Sequence, residues 1–86
     1  METYELTARY DARKSFYGKA KIVENNNILT LFSYGTKVAE IDTAKNTAKI
    51  FNAQSQTTLR HIKEFFNQSG FRADNKQQML NDYWAD

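Results

Sequence analysis

The chain has 86 residues, 41% of them hydrophobic and 14% aromatic, with a net charge of +2. Length and composition bound it to a single folded domain, residues 1–86, and exclude an intrinsically disordered chain. A charge this mild does not by itself indicate a nucleic-acid partner, and the absence of cysteine excludes disulfide staples and thiolate chemistry.

A domain this short buries only roughly 60–65% of the surface its unfolded chain exposes. The one Trp, five Tyr and six Phe must therefore carry much of the core. The opening Met1-Glu2-Thr3-Tyr4-Glu5 has neither a basic segment nor an apolar one, so no signal peptide is expected. No apolar run approaches the roughly 18 residues of a membrane span. The expected location is the cytoplasm, with no membrane partner; lack of cysteine agrees with a reducing compartment.

Thr3 to Tyr10 alternates, with Tyr4, Leu6, Ala8 and Tyr10 on one face, and predicts a half-buried strand. Asp11 to Lys14 reads as a turn. Phe16 to Val23 predicts a second strand, with Gly18 at a bulge or close approach. Glu24-Asn25-Asn26-Asn27 is a turn, since Asn tolerates positive φ. Ile28 to Tyr34 is the most apolar strand and is expected at the centre of the sheet. Gly35 marks a bulge or tight turn before a strand from Lys37 to Asp42. A hairpin loop with Asn46 left-handed then leads into a last strand, Thr47 to Asn52.

Near residue 54 the spacing becomes helical. Ser55 or Thr57 can cap a helix whose Leu59, Ile62, Phe65 and Phe66 share one face. Gly70 suits the left-handed residue after it, with Phe71 reaching back to Phe66. A second helix is expected from Asp74, with Gln77 as capping partner and Met79, Leu80, Tyr83 and Trp84 as its apolar stripe. The expected architecture is α+β: a meander of about five antiparallel strands over residues 1–53, with two helices over 54–86 packed on one face.

Catalytic sets are sparse. His61 is the only histidine, no serine sits in a nucleophile-elbow glycine pattern, and one His without Cys makes no zinc set. Glu40 and Asp42 share a strand face roughly 6–7 Å apart, but no third acid is placed beside them, and a solvated strand face explains them as well. There is no phosphate-cradling glycine loop. The expectation is a non-enzymatic protein with no metal and no cofactor.

Candidate binding surfaces are easier to find. Arg9, Arg13, Lys14, Lys19 and Lys21 face a single acid, Asp11, with Tyr10, Phe16 and Tyr17 interleaved. Cations for phosphates beside rings for bases suit single-stranded nucleic acid on a sheet. Alternation puts Tyr17, Lys19 and Lys21 on one face; the plain alternative is a solvated strand whose rings are core. A second candidate is the helix start, where Thr57, Thr58, Arg60 and His61 meet free backbone N–H groups and could hold a phosphate or a partner carboxylate. Simple capping with a surface Arg is its alternative. Tyr83 and Trp84 either seal the core or anchor an interface.

Three strings carry a resemblance: Ser15-Phe16-Tyr17-Gly18-Lys19-Ala20, Ser33-Tyr34-Gly35-Thr36-Lys37-Val38-Ala39, and Thr57-Thr58-Leu59-Arg60-His61-Ile62-Lys63-Glu64-Phe65. Over residues 4–71 the chain resembles a family of small uncharacterised phage and prophage proteins, mainly of Gram-positive bacteria, with no established activity. The resemblance implies a phage-borne protein in the bacterial cytoplasm. The expected function is inhibition or modulation of a bacterial nucleic-acid-handling or defence protein, with an anti-CRISPR-like inhibitor of a CRISPR effector as the sharpest form. Direct nucleic-acid binding is the alternative. A homodimer through exposed strand edges is a further expectation.

Overall fold

The computed structural model describes residues 2–9, 16, 18–53 and 55–85. Alternating β-formers build five strands: β1 (Glu2–Glu5), β2 (Ala20–Asn25), β3 (Ile28–Ser33), β4 (Thr36–Asp42) and β5 (Thr47–Ile50). They form one antiparallel sheet in the order β1-β2-β3-β4-β5, so β3 is central, as its apolar composition predicts. Helices α1 (Gln56–Gln68) and α2 (Lys76–Tyr83) follow. Helix α1 packs on β3 and β4, and α2 packs on β5. The expected α+β architecture is therefore the observed one.

Turn chemistry follows the residues. Asn26 and Asn46 take φ of 57° and 56° in the β2–β3 and β4–β5 loops. Tyr34 and Gly35 take 53° and 81° between β3 and β4, the paired positive φ that a two-residue type I′ hairpin needs. Gly35 thus marks the tight turn, and the bulge lies beyond it. Leu31 faces Ala39 while Phe32 faces Lys37, which leaves Val38 as the extra residue. Its carbonyl accepts from both Phe51 and Asn52 N–H.

The dry side of the sheet carries Ala20, Ile22, Leu31, Ala39, Ile41 and Ile50, which meet Ile62, Phe65 and Phe66 of α1 and Met79 of α2. Ser55 caps α1 by accepting from the Thr58 N–H at 3.0 Å. The other end closes as a Schellman motif: Phe71 N–H donates to the Phe66 carbonyl and Gly70 N–H to Asn67, with Gly70 at φ 86°. The Phe66 and Phe71 rings are 6.1 Å apart, the expected contact.

Three sequence expectations need correction. The first strand ends at Glu5, not Tyr10: Leu6 makes one more backbone bond to Ala20, then the chain leaves the sheet. Tyr4, on the edge strand β1, is 43% exposed. The second strand begins at Ala20, not Phe16. Gly18, at φ 75°, sits in a turn closed by Lys19 N–H on the Phe16 carbonyl, and Phe16 is thereby swung into the core. Helix α2 is capped by Asn75, which accepts from Gln78 N–H, while the Gln78 side chain accepts from Asp74 N–H. The capping pair is thus shifted by one residue from Asp74 and Gln77.

Candidate functional site

Side chains alternate across a strand, so a sheet covered on one side presents every second residue on the other. Among the described residues, no helix or strand crosses that other side. Strand pairing arranges it in rows. Lys21 pairs with Phe32, and Phe32 with Lys37, so a half-buried ring on the central strand is flanked by a lysine on each neighbour. One row further, Val23, Thr30, Glu40 and Lys49 lie side by side.

At one end of this open face, Gly18, Lys19, Lys21, Phe32, Tyr34 and Gly35 line a cleft of about 340 Å³. The β3–β4 hairpin turn supplies Tyr34 and Gly35, and the turn before β2 supplies Gly18 and Lys19. Tyr34 is 58% exposed. Positive φ at this residue ends the strand alternation, and its ring leans on the edge of the helix-covered side, 5.9 Å from the His61 ring and tilted 32° to it.

Charge is distributed unevenly. Glu5, beside Lys21 in the register, spends its carboxylate on the Gly18 N–H at 2.9 Å. Lys37 stands 4.6 Å over the Phe51 ring and 3.9 Å from Glu40. Among the described residues, Lys19 and Lys21 form no ion pair. The acids Glu40 and Asp42 lie at the opposite end of the face with Lys45 and Lys49. There Asp42 Oδ1 accepts from the Ala44 and Lys45 N–H groups, each at 3.0 Å, which makes it a turn-former. Among the described residues, no group of three or more His, Cys, Asp or Glu could hold a metal ion.

The predicted basic surface is described only in part. Lys19 and Lys21 come together in the cleft, and Arg9 is exposed past the end of β1. Tyr10, Arg13, Lys14 and Tyr17 lie outside the described residues. Phe32 and Tyr34, which complete the cleft, are missed by sequence reading because Ile28 to Tyr34 looks like buried strand throughout. A signal was present: Ser33, not Phe32, continues the Leu29–Leu31 face.

The four residues of the predicted anion site do not converge. Arg60 is exposed and Thr57 half-buried, whereas Thr58 and His61 turn inward. Ser55 Oγ donates to Thr58 Oγ1 at 2.9 Å, Thr58 Oγ1 lies 3.4 Å from Ser33 Oγ, and Ser33 Oγ lies 2.8 Å from His61 Nδ1. Phe16 stacks edge-on against His61 at 4.6 Å. The Ser33–His61 spacing would suit a nucleophile and its base, but Ser33 is 2% exposed and its hydroxyl is closed to a substrate in this conformation.

Tyr83 and Trp84 part company. Tyr83 packs edge-on against Phe66 at 4.8 Å and donates its hydroxyl to the Arg72 carbonyl at 2.8 Å. Burial, then the neighbouring Asp82 charge, pushes its phenol above the ordinary 10.0. Trp84 follows the last helical residue and is 48% exposed, while its backbone bridges Ile50 in parallel and Ala85 N–H reaches the Ile50 carbonyl. It therefore drops out of the apolar stripe expected for the second helix.

Fold and face define a small α+β protein built on an open-faced antiparallel meander. The chain belongs to a family of unknown function, DUF8033, whose model matches residues 4–81. Neither a curated protein nor a solved structure gives a match. Among the described residues, no helix is long and apolar enough to cross a membrane.

Proposed function

We propose that this protein is a small non-enzymatic binding protein whose working surface is the open face of its sheet. The observation that carries the reading is the Lys21–Phe32–Lys37 row, with Tyr34 exposed beside it. A ring framed by cations, on a side that neither helix occupies, has the composition of a recognition surface. Burial of the Ser33–His61 pair and the turn-forming bonds of Asp42 support the non-enzymatic reading.

The resemblance to phage and prophage proteins supplies the setting. The proposed location is the bacterial cytoplasm, and the proposed partner is a host or defence protein that handles nucleic acid. Inhibition of a CRISPR effector is the sharpest version. A second reading, direct contact with nucleic acid, is favoured by the cleft at Lys19 and Lys21.

Calorimetry against a purified CRISPR nuclease, with its cleavage measured in parallel, tests the proposal. An open-face variant (Thr30→Arg with Tyr34→Asn) is expected to lose binding, and a helix-side variant (Lys63→Glu with Gln77→Glu) to keep it. The reverse pattern would move the working surface to the helices. No binding by the wild-type protein would remove this partner class.

A further inference from the structure

We infer that the cleft between the Gly18 turn and the Tyr34–Gly35 turn holds one unpaired nucleotide of a single-stranded nucleic acid. The inference rests on the open face being the working surface, and it names the chemistry that the cleft takes.

Three observations converge. First, the cations of the cleft are unspent. Lys19 and Lys21 form no ion pair among the described residues, and Glu5, beside Lys21 in the register, accepts from the Gly18 N–H through one carboxylate oxygen. Of the other described acids of the face, Glu40 is one row away and lies 3.9 Å from Lys37, and Asp42 stands at the far end. An anion is therefore drawn to the Gly18–Gly35 end, where charges are complementary. Second, the cleft offers ring faces. Half-buried Phe32 lines it, as does Tyr34, whose ring leans on His61 at 5.9 Å yet is 58% exposed, so a base has ring surface to stack on. Third, the dimensions suit a small group. A cleft of about 340 Å³ is at the low end of the roughly 300–1,000 Å³ of small-ligand sites. A paired base cannot enter it without leaving its stack, so single strands are preferred to duplex.

The two turns also keep the approach open. Nothing stands within 4 Å of where a Cβ would be at Gly18 or Gly35, so neither turn is crowded at its glycine.

The test is a ¹⁵N amide titration of the full chain with oligo-dT, oligo-U and a hairpin duplex, with anisotropy measured across a salt series. Shifts centred on Gly18, Lys19, Lys21, Phe32 and Gly35 with the single strands, and weaker binding of the duplex, are expected. Tyr34→Asn, chosen because Asn tolerates the positive φ there, should weaken binding about 5- to 150-fold, the range for one lost base stack. Lys19→Ala with Lys21→Ala should flatten the log–log salt slope by about 1.4, the share of two phosphate contacts on a single strand. Absence of binding at low salt would overturn the inference, as would duplex binding as tight as single-strand binding, or shifts confined to the helices. If oligonucleotides fail while the open-face variant still loses the nuclease, this inference falls and the wider reading of the face stands.

Discussion

Ser33 on the central strand and His61 on α1 meet at 2.8 Å, Oγ to Nδ1, and both are essentially shut off from solvent. This hydrogen bond, with the 3.4 Å contact of Ser33 Oγ to Thr58 Oγ1, makes a polar point in the contact between sheet and helix. It fixes where α1 sits, because a buried polar group is costly when its partner is misplaced.

Ser33→Ala removes that bond from the His61 imidazole and is expected to cost about 1–3 kcal/mol. Urea unfolding followed by circular dichroism checks it. A change under about 0.5 kcal/mol, the ordinary scatter of surface substitutions, would mean that the pair contributes little to stability.

Gly70→Ala tests the end of α1. The glycine is held at φ 86° with no atom near its missing Cβ, so any cost is conformational rather than steric crowding. A loss of about 1 kcal/mol is expected, against a gain if that position could relax into ordinary helix. Thermal unfolding of the two proteins decides between them.

Tyr83 gives a pH prediction. Its phenol is raised above 10.0 in the folded chain, first by burial and then by Asp82. The folded state holds that proton more tightly than the unfolded one, so the contribution is complete below pH 10 and is lost as pH rises through the folded pKa. Tyr83→Phe should flatten the alkaline fall in melting temperature while removing the bond to the Arg72 carbonyl. Unchanged alkaline sensitivity would place its origin in other groups.

Trp84 reports on interfaces. It is the only tryptophan and stands half in solvent, so the free protein should show red-shifted emission and ready quenching by acrylamide. A blue shift with protection on adding a partner, or on raising the concentration, would make it an interface anchor. Unchanged emission in a saturated complex would take it out of the interface.

Pairing of two copies is expected at the β1 edge. The β5 edge is bridged at Ile50 by the Trp84 and Ala85 backbone, whereas β1 is exposed along its length. Because Leu6 N–H points to β2, alternation turns the Thr3 and Glu5 N–H groups outward. Light scattering at high micromolar concentration is expected to give a dimer, and Thr3→Pro a monomer of unchanged fold. A monomeric wild type rejects self-pairing.

Much of the site is half legible in the chain. Lys19 and Lys21 stand out as unbalanced positive charge before any fold is known. Tyr34 and Phe32 do not, since an apolar strand reads the same whether its rings face helix or water. His61 misleads in the opposite direction: at a helix start it looks available, yet α1 turns it under the sheet beside Phe16.

The sequence by itself determined the elements and their joints. Period-2 alternation marks the strands, Asn26, Asn46 and Gly35 place the loops, and the Leu59–Phe66 stripe with Gly70 defines α1 and its end. These signals are local, because they rest on backbone sterics and on spacing within one element. The tertiary structure alone decided which side of the sheet became dry. That choice follows from α1 and α2 docking over Leu31, Ile41 and Ile50, with the bulge at Val38 adjusting the register. Once one face was buried, Phe32 was left outside between two lysines, Ser33 was carried in to His61, and Trp84 was set against the sheet edge. Periodicity can sort residues into two faces, but only the contact between elements says which face meets water.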